Sequence, residues 1–325
     1  MHMTQPADTS RRRRVVVTGA AGFIGFHLSR ALLEAGTTVI GVDRRGQQHD
    51  PLAAANLDEL IAFPNFIPLT ADLMNCPLEP VLLDADAVFH LAALPGVRPS
   101  WGPTFDAYVA ANIQTVQRIM DVASRLRIRR VVLASSSSVY GATDGSSSKE
   151  TDRPSPLSPY AVTKLAAEQL CLAHANRLNA ATSIVALRYF TVYGPCQRPD
   201  MLIHRVLTAA LNQTPIQVFG DGLQQRDFTY VGDVVRATIA ASLTPAANTV
   251  INVGAGSSTS LSDVLDIARQ LTGRSVPVIP SRARAGDVPA TLADITLAQK
   301  LLGWKPEVPL IEGMERQLRR LQEAG

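Results

Sequence analysis

Short, nearly unbroken apolar runs recur along the chain at residues 15–17, 38–43, 66–69, 87–92, 131–134 and 183–187. Longer stretches with a helical apolar period lie between several of them, notably 26–35, 105–125 and 159–179. A half-exposed strand alternates apolar with polar residues, whereas continuous runs separated by helices describe a parallel sheet covered on both faces. The pattern predicts an α/β fold, a doubly wound parallel sheet of the Rossmann kind. After Arg188 the rhythm loosens. Residues 193–199 and 219–226 are rich in Gly, Pro and polar side chains and read as loops lining a site, with short helices expected at 201–212, 233–242, 261–271 and 310–321.

At 325 residues the chain is long enough for about two domains of roughly 150 residues, and it needs no disulfide or metal staple. Hydrophobic residues make up 46% and charged ones 18%, too apolar for a disordered chain. The formal charge is 31 − 28 = +3, but Arg11 to Arg14 supply four of the cations, and without them the balance is 27 − 28 = −1. The basic character therefore belongs to a local tail, and a nucleic-acid binder is not indicated. Cys76, Cys171 and Cys196 form neither a disulfide framework nor a zinc spacing, so a reducing cytoplasm is expected. No apolar run reaches the roughly 18 residues of a membrane span, and the polar, then basic start does not read as a secretory signal.

Gly19-Ala-Ala-Gly22-Phe-Ile-Gly25 joins the first strand to the first helix. Glycines there let the backbone turn tightly and approach a pyrophosphate seated on the positive end of the helix. Asp43 ends the next strand, 24 residues after Gly19, where a carboxylate can accept hydrogen bonds from adenosine ribose hydroxyls. A 2′-phosphate would meet like charge, which favours NAD over NADP, although Arg44 and Arg45 act in the opposite direction.

Tyr160-Ala-Val-Thr-Lys164 places a phenol and an ammonium on one helix face. A tyrosine with an ordinary pKa near 10 is a poor base at neutral pH, and a lysine cation with a positive nicotinamide ring would lower that pKa. Ser135-Ser136-Ser137-Ser138-Val139-Tyr140-Gly141 leaves the carboxyl end of a strand, where such sheets place their ligands. His90, ending an apolar strand, reads as a packed core histidine. No grouping of His, Asp and Glu suggests a metal.

Residues 18–25, 90–93, 135–141, 160–164, 188–195 and 225–230 together resemble the extended short-chain dehydrogenase/reductase family, specifically its NAD-dependent nucleotide-sugar epimerases and dehydratases. The likeness runs from about Val15 to Trp304. It implies an NAD-binding Rossmann domain over 12–188 plus about 228–253, and a smaller α/β substrate domain over about 189–227 plus 254–325. Residues 1–11 are left as a disordered tail. The resemblance further implies cofactor contacts from Gly19, Gly22, Phe23, Ile24, Gly25, Asp43, Arg44, Asp72, Leu73, Leu91, Ala92, Ala93, Tyr160 and Lys164. It implies a homodimer through the helices at 105–125 and 159–179, with no nucleic-acid or membrane partner.

In this family Ser136 matches the residue that hydrogen-bonds the sugar hydroxyl being oxidised, making Tyr160, Lys164 and Ser136 the catalytic set. Dehydratases carry Asp and Glu at the next two positions, and hexuronate decarboxylases carry Glu at the second. Ser137 and Ser138 stand there instead, and neither can serve as a carboxylic acid, so epimerisation remains. Residues 191–201, Thr-Val-Tyr-Gly-Pro-Cys-Gln-Arg-Pro-Asp-Met, look most like the UDP-glucuronate 4-epimerase branch. There Thr191, Arg198 and the serine run face the hexuronate carboxylate, which the fork of an arginine suits. Cys196 stands where a bulkier residue is expected. Arg226, Arg284 and Asp287 match segments that bind the diphosphate and nucleoside ribose, and Arg98 is a candidate on the sugar side. Three readings stay open beside this one: a UDP-glucose or UDP-N-acetylglucosamine 4-epimerase, a UDP-glucuronate decarboxylase, and a non-catalytic NAD-binding regulator.

Overall fold

A computed structural model of the chain describes residues 12–46, 50–143, 145–219, 222–281 and 288–324. The first half alternates strand and helix. It runs β1 (Arg14–Thr18), α1 (Phe23–Glu34), β2 (Thr38–Asp43), α2 (Pro51–Ile61), β3 (Phe66–Thr70), α3 (Leu78–Leu82), β4 (Ala87–His90), α4 (Phe105–Val109), α5 (Thr115–Arg125), β5 (Arg130–Ser136), α6 (Pro159–Ala175) and β6 (Ser183–Tyr189). The second half has shorter strands: β7 (Thr191–Tyr193), α7 (Leu202–Asn212), β8 (Ile216–Phe219), β9 (Gln225–Arg226), β10 (Phe228–Tyr230), α8 (Val231–Leu243), β11 (Thr249–Val253), β12 (Thr259–Ser260), α9 (Leu261–Thr272), β13 (Val278–Ser281), α10 (Thr296–Leu302) and α11 (Leu310–Ala324).

Seven of these strands pair in parallel in the order β11-β6-β5-β4-β1-β2-β3. The reason the apolar runs are continuous is visible in β1. Val15 and Val17 join a core under α1, α2 and α8, while Val16 joins a second core under α3, α5 and α6. Both faces are covered, so successive residues in the middle of the strand are all apolar. The strand order reverses at the β1/β4 boundary, and that is where such a sheet opens a crevice beyond its carboxyl ends. A third core packs α7, α9 and α11 around Tyr193, Ile203, Val206, Phe228, Val264 and Met314. Asp227, fully buried beside it, accepts hydrogen bonds from Thr229 and from the backbone of Ala255, Gly256 and Ala293, tying three segments together.

Several boundaries differ from the sequence reading. The first helix starts at Phe23, inside the glycine segment, because Gly22 is extended and can act as its N-cap. The helix from Pro159 stops at Ala175 rather than running to residue 179. The helix over 105–125 contains one turn of π-helix, Ala110–Gln114, where an extra residue widens the coil. It turns buried Asn112 toward Thr163 of α6 (3.0 Å) and the Leu94 backbone (3.1 Å and 2.7 Å). Arg13 and Arg14 are not tail residues. Arg14 opens β1 with its N–H on the Asp86 carboxylate (2.7 Å), and the Arg13 guanidinium donates to Ser242 (2.8 Å). Residues 1–11 lie outside the described residues. Among the described residues no helix is long and apolar enough to cross a membrane.

Candidate active site

The chain leaves β1 in a tight turn. Gly19 has φ +74°, its N–H donates to the Val42 carbonyl (2.7 Å), and a Cβ there would lie 2.9 Å from the Ala92 nitrogen. A Cβ on Gly25 would fall 2.0 Å from the Gly19 oxygen, so α1 presses directly on the turn. No side chain caps α1, which leaves the amides of its first turn free to meet an anion. Phe23 and Ile24 anchor that turn to the core. Opposite, Leu91, Ala92 and Ala93 follow β4 and form the other wall. Thr18 accepts from the Ala92 N–H (3.2 Å), and its hydroxyl shares a hydrogen bond with His90 Nδ1 (2.7 Å). Burial lowers the His90 pKa to about 3, so this histidine is a neutral part of the wall.

Asp43 sits at the end of β2, buried, and accepts from the Ala21 N–H (3.1 Å). Arg44, expected against the cofactor, is exposed at the end of the strand. The next residue turns inward: Arg45 forks onto both Asp43 oxygens (3.1 Å and 3.0 Å) and reaches Asp50 (3.3 Å). Asp72 is exposed beyond β3 with its carboxylate on the Met74 N–H (2.8 Å), and Leu73 is buried in the core beneath.

Tyr160 and Lys164 occupy successive turns of α6. Ser158 caps the helix through the Ala161 N–H (3.1 Å), and the Tyr160 N–H is fixed by Ser100 (3.0 Å). Ser138 donates both its N–H (3.2 Å) and its hydroxyl (2.9 Å) to Ser136 Oγ. With its oxygen so supplied, Ser136 can direct its own proton toward the Tyr160 phenol, whose pKa it pulls down. Tyr108 packs edge-on against the Tyr160 ring at 6.3 Å. The expected lowering of the tyrosine pKa is not produced by the chain itself. Burial pushes it above the ordinary value, with Ser136 and Arg198 pulling the other way. Lys164 is turned to the Ala134 carbonyl (2.5 Å), and burial lowers its own pKa to about 8.

Arg198 lies within electrostatic reach of Tyr160, with its fork on Asp200 (2.9 Å twice). Thr191 is half-buried on β7, its N–H on the Asp227 carbonyl (3.0 Å). Arg226 donates to the carbonyls of Gln225 (2.8 Å) and Pro289 (3.5 Å). Arg98 is exposed in a short turn, Arg98–Ser100, that also carries Ser100. Ser137 is half-buried beside Ser136. Arg284 and Asp287 lie outside the described residues. Among the described residues no group of three His, Cys, Asp or Glu side chains could hold a metal.

Behind the serines lies a network that the sequence reading did not assign. Glu168, one helical turn beyond Lys164, takes two bonds from Arg188 of β6 (2.6 Å and 3.0 Å) and one from the Ser135 hydroxyl (3.0 Å). The two charged side chains are 0% and 3% exposed. Arg188 also lies over the Tyr140 ring at 4.7 Å, and the Tyr140 hydroxyl donates to Asn252 of β11 (2.6 Å). The i,i+4 spacing from Lys164 was the available signal. A buried partner on a strand twenty residues away gave none.

Residues 15–254 match the model of the NAD dependent epimerase/dehydratase family. The chain is 41% identical to a Bacillus subtilis protein called an uncharacterized UDP-glucose epimerase, YtcB, over 94% of this chain and 96% of that one. It is 38% identical to a UDP-glucuronate 4-epimerase of Thermodesulfobacterium geofontis, over 93% and 94% of the two chains. A solved structure of a UDP-glucuronic acid 4-epimerase from Bacillus cereus, in complex with UDP-glucuronic acid and NAD, superimposes with a TM-score of 0.91. Its sequence is 39% identical, over 96% of this chain and 100% of that one.

Glu168→Gln leaves the Arg188 charge buried without its counterion, which costs about 3–5 kcal/mol. Denaturant unfolding of the purified variant should show that loss, and a change under about 1 kcal/mol would mean that the pair does not hold α6 to β6.

Proposed function

Since the chain belongs to the NAD dependent epimerase/dehydratase family, we propose that it inverts C4 of a UDP-hexuronate, interconverting UDP-glucuronate and UDP-galacturonate through a transient 4-keto sugar. The observation that carries this reading is the hydrogen-bonded pair Ser138–Ser136 set against Tyr160, with Lys164 one turn on in the same helix, Arg198 in reach and no carboxylic acid at 137 or 138.

The crevice fits a dinucleotide: the glycine turn leaves no room for a Cβ on Gly19 or Gly25, and the first turn of α1 is uncapped. Gly19, Gly22 and Gly25 would admit the diphosphate, Asp43 the adenosine ribose, and Lys164 the ribose at the reactive end. NAD, when bound, supplies a hydride acceptor that returns the hydride to the other face of C4, so none is consumed. Tyr160 takes the proton of the C4 hydroxyl at its phenolic oxygen and later gives it back. Ser136 orients that hydroxyl through hydrogen bonding. Lys164 contributes positive charge that favours the phenolate once its ammonium faces ribose and phenol.

Arg198 selects the acid. Asp200 holds its guanidinium in a defined plane, and a hexuronate carboxylate offers the same two-oxygen geometry from the sugar side. Thr191, Ser137 and Ser138 add neutral donors without a repelling charge. The clamp also has a chemical purpose. A 4-keto hexuronate is a β-keto acid and loses carbon dioxide when its carboxylate can turn out of the ketone plane, so restraining that rotation separates epimerisation from decarboxylation.

Arg226 is assigned to the diphosphate, together with Arg284, and Asp287 to the nucleoside ribose. The substrate domain is taken as 189–227 plus 254–325. Exposed Phe105 and Val162 lie on the two helices proposed to pair in a homodimer, and the free thiols suit a cytoplasmic location.

Purified protein incubated with UDP-glucuronate and no added NADH should yield the C4-inverted acid by proton NMR, and Tyr160→Phe should abolish turnover while NAD stays bound. A pentose product would move the assignment to a decarboxylase, and inversion of neutral sugars alone to a UDP-glucose type epimerase. Arg198→Ala should slow turnover of the hexuronate by about tenfold or more, the scale of a lost charge-assisted hydrogen bond, and raise the decarboxylated fraction. Unchanged kinetics and product ratio would remove Arg198 from the site.

A further inference from the structure

The carboxylate expected to hold the adenosine ribose is already full. A carboxylate has about four acceptor directions. Asp43 Oδ1 takes the Arg45 backbone N–H (3.0 Å) and its Nε–H (3.1 Å), while Oδ2 takes the Ala21 N–H (3.1 Å) and Arg45 Nη2 (3.0 Å). Asp43 is buried, so a ribose hydroxyl finds no acceptor on it until Arg45 lets go.

Arg45 has somewhere to go. Its Nη1 reaches Asp50, the N-cap of α2, at 3.3 Å, so the guanidinium has a second tether. Its Nη2 lies 3.2 Å from the point where a Cβ on Gly22 would sit, directly over the turn where α1 begins. It is also close enough to Arg198 for the two cations to repel each other. Three of its five N–H donors are engaged on carboxylates, leaving two for another acceptor.

We propose that Arg45 is a two-position cofactor ligand: it closes Asp43 in the arrangement described above, and passes to the diphosphate of the dinucleotide when the ribose hydroxyls take Asp43, with Asp50 as the pivot. The proposal rests on the reading of the crevice as an NAD site. It makes the cofactor's two halves interdependent. The ribose alone must displace an arginine without compensation, whereas ribose and diphosphate together exchange one charge-assisted contact for another. Fragments without phosphate are therefore excluded, and the whole dinucleotide is held.

The test compares adenosine with ADP on full-length protein stripped of nucleotide, by calorimetry. Arg45→Ala should weaken ADP binding by about tenfold or more, the loss of a hydrogen bond to a charged group. The same variant should bind adenosine several-fold better than the wild type, because Asp43 is then open, and unchanged adenosine affinity would overturn the closing role. The salt dependence of ADP binding should flatten, and NAD carried through purification should fall. Asp50→Asn, which loosens the pivot, should weaken ADP without improving adenosine. Equal weakening of both ligands would reduce Arg45 to a structural partner of Asp43 and overturn the proposal, as would unchanged ADP affinity. Wild-type protein that binds neither ADP nor NAD would instead sink the cofactor reading itself, and the proposal with it.

Discussion

A single buried ion pair sets the geometry on which the reactive groups depend. Glu168 and Arg188 are almost wholly removed from water, and a charge in that position is tolerated only when paired and hydrogen-bonded. The pair meets both conditions by spanning three elements: Glu168 belongs to the helix of Tyr160 and Lys164, Arg188 to β6, and Ser135 to the strand that delivers Ser136. Distances between phenol, ammonium and serine are thereby fixed from below rather than by the residues themselves. Tyr140 and Asn252 carry the same constraint out to β11, across the edge of the sheet.

Above that floor the site is organised by positive charge. Lys164, Arg198 and Arg45 approach one crevice from three elements, while the oxygen-bearing groups nearest Tyr160 are neutral hydroxyls. Each cation is held by an internal acceptor: a main-chain carbonyl for Lys164, Asp200 for Arg198, and Asp43 with Asp50 for Arg45. These acceptors keep flexible side chains in place until an incoming acceptor competes for them. Recognition by exchange of partners costs less reorganisation than recruitment of free side chains from solvent.

Much of this was legible in the residues alone. The parallel sheet, the glycine turn and the helix carrying Tyr160 and Lys164 follow from short-range patterns whose physics is local: continuous apolar runs, missing side chains, and one helical turn of spacing. Helix ends were less legible because Gly22 replaces a conventional capping side chain and because the 159–175 helix ends at no glycine or proline. Asp50 followed by Pro51 is a recognisable helix start, but the Ala-rich residues of α2 after it carry little helical periodicity. The choice between Arg44 and Arg45 was beyond the sequence, since adjacent residues leaving a strand point in opposite directions and only the local turn decides which one bends inward. The partners of Arg188 were equally hidden. They lie on separate elements, and no interval along the chain announces them.

The wide turn at Ala110–Gln114 has a consequence for how this scaffold tolerates length changes. It holds one more residue than a regular turn, and each residue of a regular α-helix advances the azimuth by about 100°. Regular coiling of all the residues through that turn would swing the leading segment, Phe105–Val109, by roughly that angle. Tyr108 would leave its perpendicular packing on Tyr160, and Asn112 its seat between Leu94 and Thr163. The widened turn therefore takes up one residue of length inside the helix and keeps both flanks in phase with α6, a task that elsewhere in a fold falls to a surface loop.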